Sequence, residues 1–149
     1  MKNKDVSMVD ISRKPVTLRE ATVQAYISLQ TKTIKLIRAK RIPKGDVLTT
    51  AKCAGILAAK RVDELLPLCH PLPLEYVVID FELEKEGISI TARCKTSAKT
   101  GIEMEAMVAA SIAALTIYDM CKSIDRGAVI KEIKLMEKSG GKSGHYKRA

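Results

Sequence analysis

One histidine and two lysines stand at positions where side chains could do chemistry. His70 is followed by Pro71 in a proline-rich segment, and a histidine held by a stiff loop can transfer a proton or contact a phosphate. Lys44 and Lys99 each stand just before a predicted helix, where a lysine would add a cation to an anion-binding helix N-terminus. These positions indicate anion binding and proton transfer. A structural histidine and solvated lysines are the alternative interpretation.

Further charged residues lie at both ends of the longest predicted helix, which spans 99–122. Asp119 and Lys122 share one face, where an ordinary surface ion pair is the alternative to a chemical role. Glu103 and Glu105 lie about 200° apart around an ideal helix, so we expect that they cannot both face one ligand. Asp119 lies about 21 Å beyond Glu105 along the axis, so a single pocket that uses both ends needs a second subunit.

The same helix carries a start signal and a core face. Thr100 followed by Glu103 is the pattern of a capping box, which predicts that the helix begins near Gly101. Small and aliphatic residues recur at helical spacing: Ala106, Ala109, Ala110, Ala113, Ala114 and Ile117. Because small side chains let another backbone approach closely, this face is predicted to be buried in the core.

The composition limits the class of protein. With 149 residues, of which 46% are hydrophobic, the chain fits one compact domain, and we assign residues 1–149 to it. The 26 Lys and Arg residues outnumber the 17 Asp and Glu residues, which gives a formal net charge of +9. This charge favours anionic partners such as phosphates, nucleotides or nucleic acid.

The cysteines and the N-terminus indicate the compartment. Cys53, Cys69, Cys94 and Cys121 contain no Cys-x-x-Cys pair, and with two histidines they form no zinc-binding pattern. Free thiols in a reducing cytosol are expected. The N-terminus lacks the apolar core of a secretion signal, and no run approaches 18 apolar residues. We therefore expect a cytoplasmic protein with no membrane partner.

The hydrophobic patterns along the chain predict four strands and two long helices. Alternating residues predict strands at 19–29, 77–83, 88–94 and 129–136, with a hairpin turn at 85–87. A basic, weakly helical stretch at 31–42 precedes a helix at 47–62 that Asp46 would cap, and the prolines at 65–73 make a stiff connector. This order predicts an α+β, ferredoxin-like βαββαβ fold, with an antiparallel sheet and helices packed on one face.

Both termini are predicted to extend from this domain. Residues 1–16 form an N-terminal arm that we expect to be loosely held, and residues 138–149 form a basic, glycine-rich tail. The run Gly-Lys-Ser at 141–143 looks like the end of a P-loop, but the earlier glycine falls on Met136 and no helix follows, so we reject that interpretation. A phosphate-gripping tail and a disordered basic end are equal alternatives.

Several blocks of the sequence resemble one family. They are KGDV at 44–47, AAKR at 58–61, LCHPL at 68–72, KTGIEMEA at 99–106, AALTIYDMCK at 113–122 and KSGGKSG at 138–144. In this order, over nearly the whole chain, they are similar to the cyclic pyranopterin monophosphate synthases, the molybdenum cofactor biosynthesis protein C (MoaC) family.

The resemblance implies an activity and its partners. A cyclic dihydroguanosine triphosphate, made by a partner radical S-adenosylmethionine enzyme that cyclises GTP, would be converted to cyclic pyranopterin monophosphate with release of pyrophosphate. The resemblance also implies a homo-hexamer, a trimer of dimers with sites at subunit interfaces. We expect no tightly bound cofactor or structural metal, although Mg²⁺ could arrive with the triphosphate.

The resemblance also implies roles for individual residues. Asp119 and Lys122 match the central catalytic pair, and we hypothesise that they exchange protons if the pocket lowers the pKa of the lysine. The other positions that match active-site residues are Lys44, His70, Glu103, Glu105 and Lys138. The substrate-contact positions are Leu68, Cys69, His70, Met104 and Glu105, while Arg19, Lys99 and Lys142 would join Lys44 and Lys138 in neutralising the triphosphate. His145 departs from the pattern, because an acidic residue is expected there.

Two functions from other classes compete with this interpretation. An RNA-binding module would display stacking aromatics on its sheet, but Phe81 falls among core-facing residues and the strand at 88–94 has no aromatic residue. A purely structural assembly protein would also suit alanine-rich helices. Tight, specific binding of a purine triphosphate would count against that second alternative. We expect no nucleic-acid partner.

Overall fold

The computed structural model describes residues 5–149 and has an α+β architecture, as the sequence predicted. Its elements are β1 (Thr17–Ser28), α1 (Thr31–Arg38), α2 (Val47–Ala59), α3 (Val62–Leu65), β2 (Tyr76–Leu83), β3 (Gly87–Ala98), α4 (Glu103–Cys121), β4 (Val129–Ser139) and β5 (Tyr146–Lys147). The strands form one sheet with the order β2-β3-β1-β4-β5, and all paired neighbours are antiparallel.

The sheet is larger than the predicted one. The sequence predicted four strands, and the structure adds β5, which pairs with Glu137 and Lys138 of β4. This short strand has no alternating apolar pattern, because backbone hydrogen bonds to β4 define it rather than burial of its side chains. The short helix α3 was also not predicted, since α2 ends at Ala59 instead of continuing to about residue 62.

One face of the sheet is buried under the helices. The apolar row of β1, namely Ala21, Val23, Ala25 and Ile27, lies opposite Cys94, Ala92, Ile90 and Ile88 of β3, and all eight are buried. The other face is polar and partly solvated, with ion pairs between Lys95 and Glu20 and between Arg93 and Asp80. The half-buried strand predicted from strict alternation is therefore confirmed.

Helices α2 and α4 pack against each other over this apolar face. A Cβ at Gly55 of α2 would lie 2.7 Å from the backbone oxygen of Ala109 and would overlap the Ile79 side chain, so only glycine fits this approach. The predicted alanine face of α4 is buried. Among residues 5–149, α4 is long and apolar enough to cross a membrane, but half of it is buried in this domain, as in a core helix.

The helix starts agree with the sequence at α2 and differ at α4. Asp46 caps α2 as predicted, because its side chain accepts a hydrogen bond from the Thr49 backbone N at 3.1 Å. The prediction of a capping box at α4 is wrong. The N-cap is Ile102, which makes no side-chain capping hydrogen bond, and the helix begins at Glu103 rather than near Gly101. The Glu103 carboxylate is instead bonded to Lys138, so it does not return to the backbone of Thr100.

Candidate active site

Three adjoining cavities share Lys14, two of them at the N-terminus of α4 and the third between β1 and the tail. The inner cavity, of about 200 Å³, lies between Arg19, Glu103 and Lys138. The loop cavity, of about 390 Å³, is lined by the proline-rich loop and the first turn of α4. The tail cavity, of about 680 Å³, lies between β1 and the tail residues 141–143. Lys14 of the N-terminal arm lines all three cavities.

Cations dominate the inner cavity. Lys138 donates a hydrogen bond to the Glu103 carboxylate at 2.8 Å. Burial alone would raise the pKa of Glu103, but the hydrogen bond from Lys138 and the charges of Lys138 and Arg19 hold that pKa below its usual value. The buried Nε of Arg19 has no hydrogen-bond partner among residues 5–149. With Lys14, the cavity is lined by three cations and by the carboxylates of Glu103 and Glu20, and the excess of cations suits a phosphate group.

The tail shapes the neighbouring tail cavity. Gly140 and Gly141 have positive φ angles of 99° and 75°, and a Cβ at Gly141 would overlap the Arg19 guanidinium. The glycines therefore let the backbone lie directly against Arg19 while Lys142 lines the cavity. His145, which replaces the expected acidic residue, contacts the Glu137 carboxylate at 2.7 Å and so ties the tail to β4. As expected, no helix follows the Gly-Lys-Ser run, because β5 follows it.

A buried carboxyl group lies in the loop cavity. Glu105 is 4% exposed, and burial raises its pKa to about 7, with the charges of Glu103 and Asp63 acting in the same direction. Leu68, Cys69, His70 and Met104 line the same cavity. Burial also raises the pKa of the thiols of Cys69 and Cys94, which makes them poor nucleophiles at neutral pH.

Both glutamates line the loop cavity, but Glu103 also pairs with Lys138, which agrees with the expectation that the two carboxylates do not serve one ligand alone. The angle of about 200° between Glu103 and Glu105 places their side chains on opposite sides of the helix axis. Here the cavity lies at the N-terminal end of α4, where the residues of the first turn surround the axis and can reach one space. Glu103 also lines the inner cavity, so it joins the two spaces.

A second charged cluster lies at the other end of α4. Asp119 accepts hydrogen bonds from Lys44 at 2.9 Å and pairs with Lys122 at 2.7 Å. Lys44 also donates to the Asp119 backbone oxygen at 3.1 Å, so its ammonium lies at the C-terminus of α4 rather than at the start of α2. About half of each side chain is exposed, at 45%, 54% and 57% for Lys44, Asp119 and Lys122.

Hydrogen bonds among the three side chains set the charge state of this exposed cluster. The hydrogen bonds from Lys122 and Lys44 lower the pKa of Asp119 to about 2, and the bond to Asp119 raises the pKa of Lys122. The sequence-based hypothesis required a shielded lysine with a lowered pKa. Within this chain the pair is not shielded, so its two members are held in their charged forms. Proton exchange would need another surface to cover them.

The structure thus divides the predicted site residues into two groups about 20 Å apart along α4. Arg19, Lys138 and Lys142 line the inner or tail cavity, and Leu68, Cys69, His70, Glu103, Met104 and Glu105 line the loop cavity. Lys44, Asp119 and Lys122 form the distant cluster. Lys99 joins neither group, because its ammonium donates to the backbone oxygen of Ser12.

Sequence reasoning missed Lys14. The arm that carries this lysine was expected to be loosely held. The sequence signal that could have identified Lys14 is its position beside Pro15, directly before the first strand. In the described part of this arm, residues 5–16, side-chain hydrogen bonds from Lys99 to Ser12 and between His70 and Val9 tie it to the domain. Over residues 5–149, no group of three or more His, Cys, Asp or Glu side chains could hold a metal ion.

A cluster of cations beside buried and paired carboxylates, on an α+β domain, is typical of an enzyme that acts on a phosphorylated compound. The chain matches the model of the MoaC family over residues 8–141 and belongs to that family. The family comprises the cyclic pyranopterin monophosphate synthases, so this protein is a lyase of molybdenum cofactor biosynthesis. The matched segment includes the distant cluster and all of the loop cavity, whereas Lys142 and Ser143 of the other two cavities lie just beyond it.

Proposed function

We propose that the protein converts a cyclic dihydroguanosine triphosphate to cyclic pyranopterin monophosphate and pyrophosphate. Forming a cyclic monophosphate from a triphosphate requires a sugar hydroxyl to attack the α-phosphorus while the bond to pyrophosphate breaks. The hydroxyl must lose its proton, and the departing pyrophosphate gains negative charge. The observation that carries the proposal is the set of cations around the inner cavity, directly beside the carboxyl groups of the loop cavity.

The cavities suggest where each part of the substrate binds. The triphosphate would lie in the inner and tail cavities, where Arg19, Lys138 and Lys142 stabilise its charge and that of the leaving pyrophosphate. The purine-derived ring would lie in the loop cavity against Leu68 and Met104. The pathway enzyme that cyclises GTP would supply the substrate as a triphosphate. Any Mg²⁺ would arrive bound to its phosphate oxygens, which are common ligands of this ion.

We further infer that two copies of the chain complete each site. Met104, Val108, Ser111, Leu115 and Tyr118 follow one another at spacings of four and three residues, so they form one stripe along α4. The stripe faces outward, with Met104 39%, Leu115 52% and Tyr118 36% exposed. An apolar stripe with this spacing is typical of helices that pack against a partner helix.

The stripe also predicts the geometry of the pair. Met104 and Tyr118 each lie seven residues from Ser111. Two α4 helices packed antiparallel about Ser111 would therefore set the partner subunit's Tyr118 opposite Met104, and the partner subunit's Asp119 beside the loop cavity. Such cover would bury Lys122, and burial lowers the pKa of a lysine, as proton exchange requires. A homo-hexamer built as a trimer of such dimers in the cytoplasm is the assembly that we propose.

We also infer a ferredoxin-like arrangement for the four long strands. Their order β2-β3-β1-β4, with α2 and α4 as the long helices of the two crossovers, supports this inference, and β5 would then be an addition at the edge.

The direct test is pyrophosphate release from the cyclic dihydroguanosine triphosphate. We expect release by the native chain and a loss of about 100-fold or more in kcat for Asp119→Asn and Lys122→Ala. Lys131→Ala, at an exposed position of β4, is the matched control and should keep native activity. A native chain that assembles but releases no pyrophosphate would refute the proposed reaction. An active Asp119→Asn enzyme would refute the assigned role.

Mixed assemblies test whether the site is shared between subunits. Asp119→Asn and Lys138→Ala change opposite ends of α4, and each variant alone should be inactive. If one site uses both chains, coexpression of the two variants restores about a quarter of native activity, because half of the dimers are mixed and each has one intact site. A site made by a single chain would recover no activity.

A further inference from the structure

The N-terminal arm makes specific contacts with the loop cavity. Val9 and Lys14 of the arm line that cavity. The arm bends through two local hydrogen bonds, from the Ser12 backbone N to the Asp10 carboxylate at 2.9 Å and from the Lys14 backbone N to the Ile11 oxygen at 3.1 Å. These bonds shape the segment between its two points of attachment to the domain.

One of those attachments involves a ring nitrogen of His70. Its Nε2 lies 2.7 Å from the backbone oxygen of Val9. A carbonyl oxygen can only accept a hydrogen bond, so Nε2 must carry the proton. A neutral imidazole has one N–H group, and the other ring nitrogen then keeps its lone pair. Within residues 5–149, Nδ1 of His70 has no hydrogen-bond partner, so it is the ring atom left for a ligand.

The backbone of His70 is fixed as well. The following residue is Pro71, which restricts the residue before it to an extended conformation. On one side, the Cys69 backbone N donates to the Leu66 oxygen at 3.0 Å. On the other side, the buried Thr96 hydroxyl donates to the Pro73 oxygen. The loop therefore presents the imidazole in one place, and the arm selects which nitrogen holds the proton.

We propose that the arm is a positioning element of the active site: the Val9 carbonyl fixes His70 as its Nε2–H tautomer and leaves Nδ1 as the proton acceptor for the substrate in the loop cavity. The identity of that substrate rests on the proposed function, but the tautomer does not. Val9 acts through His70 and touches no substrate in this role. In this tautomer His70 can accept one proton from the bound substrate at Nδ1, and it returns to the neutral form by giving that proton to the product or to water.

The tautomer can be measured directly. The chain has two histidines, so magic-angle-spinning NMR of protein labelled with ¹⁵N-histidine gives two sets of ring signals, and His145→Gln assigns them. We expect a pyridine-like Nδ1 and a pyrrole-like Nε2 for His70 in the native protein. Deletion of residues 2–10 removes the Val9 carbonyl and should mix the two tautomers. Deletion of residues 2–7 is the matched control and should leave the signals unchanged.

A second variant separates anchoring from catalysis. In His70→Gln the side-chain amide can replace the Nε2 donor to Val9 but offers no basic nitrogen. We expect the arm to stay in place, measured as resistance to trypsin cleavage after Arg13, while kcat for pyrophosphate release falls about 100-fold. Native kcat in His70→Gln, or an Nδ1–H tautomer in the native protein, would overturn the proposal. Absence of pyrophosphate release by the native protein would refute the proposed function and leave the NMR result standing.

Discussion

Glu103 in the first turn of α4 and Lys138 near the end of β4 form an ion pair of 2.8 Å, with 26% and 29% of their side chains exposed. The pair joins the N-terminus of the helix to the sheet at the wall of the inner cavity. It also holds one cation of that cavity in place. A triphosphate that reaches Lys138 must share this ammonium with Glu103, so the pair links stability to substrate binding.

Replacement of Glu103 by Gln should lower the free energy of unfolding at pH 7 by about 1–2 kcal/mol, because a charge-assisted hydrogen bond is lost. The pKa of Glu103 is below its usual 4.5, so its stabilising effect is complete above pH 4.5 and is lost as pH falls through the lower value. Urea unfolding at pH 7 and below pH 4 measures the difference in free energy of unfolding between the native protein and the variant. This difference should be smaller in acid.

The matched control for Glu103→Gln is Glu132→Gln. Glu132 also pairs with a lysine, Lys134, at 2.8 Å, but half of its side chain is exposed. Exposed pairs contribute at most about 1 kcal/mol, so this control should change stability little. Equal losses for both variants would contradict the special position of the Glu103–Lys138 pair.

Glu105→Gln should act in the opposite direction. The pKa of Glu105 is raised from 4.5 to about 7, so the folded protein binds a proton more tightly than the unfolded chain does. Native stability then decreases as pH rises from about 4.5 to 7. At pH 8 the variant should be more stable than the native protein by up to about 3 kcal/mol, with a smaller difference at pH 5.

Urea unfolding of Glu105→Gln at pH 5 and pH 8 tests this sign, and the exposed Glu82→Gln of β2 is the control. If Glu105→Gln lost as much stability as the native protein between pH 5 and pH 8, another group would be the cause of the pH dependence.

Leu115→Lys should disrupt the proposed subunit contact. Leu115 is 52% exposed in the apolar stripe, one helical turn from its centre at Ser111, so a lysine there leaves the isolated chain folded but would bury an unpaired charge in the dimer contact. We expect a smaller assembly by light scattering and loss of pyrophosphate release. Val129→Lys, at a residue that is 50% exposed in β4, is the control. An intact, active assembly of Leu115→Lys would place the contact elsewhere.

Gly55→Ala should destabilise the helix layer by about 1–3 kcal/mol, since the new methyl group overlaps Ile79 and crowds the backbone of Ala109. Gly127→Ala is the matched control, because a Cβ there meets nothing nearer than the Asp125 carboxylate at 3.8 Å. Urea unfolding compares the two variants. Equal stability of both variants would mean that α2 and α4 can separate at little cost.

Local patterns predicted much of the fold. The alternation in β1 gave its buried face, and Asp46 gave the start of α2, because each depends on residues close together in the chain. The capping box failed for the opposite reason. Glu103 has a local partner available at Thr100, but Lys138, 35 residues away, binds it instead. The short strand β5 likewise depends on pairing with β4 and has no pattern of its own.

The candidate site was harder to predict than the fold. The blocks that resemble the family named its residues, yet sequence spacing could not place them around three adjoining cavities. Helix geometry separates Glu103 from Glu105, but it gives no sign that the loop cavity lies at the helix end, where both residues line it. Lys14 was missed because a polar arm shows no hydrophobic pattern, and its position depends on hydrogen bonds to His70 and Lys99.

The central place of β1 in the sheet has a consequence for synthesis. This strand is made first but pairs with β3 and β4, which are made much later. Its hydrogen-bonding edges and apolar row therefore stay unpaired while the ribosome completes most of the chain. Contacts so distant in sequence form slowly, and a chaperone has a long interval in which to bind the exposed strand. The central strand of the sheet is thus synthesised first, and the last strands to be synthesised complete the sheet.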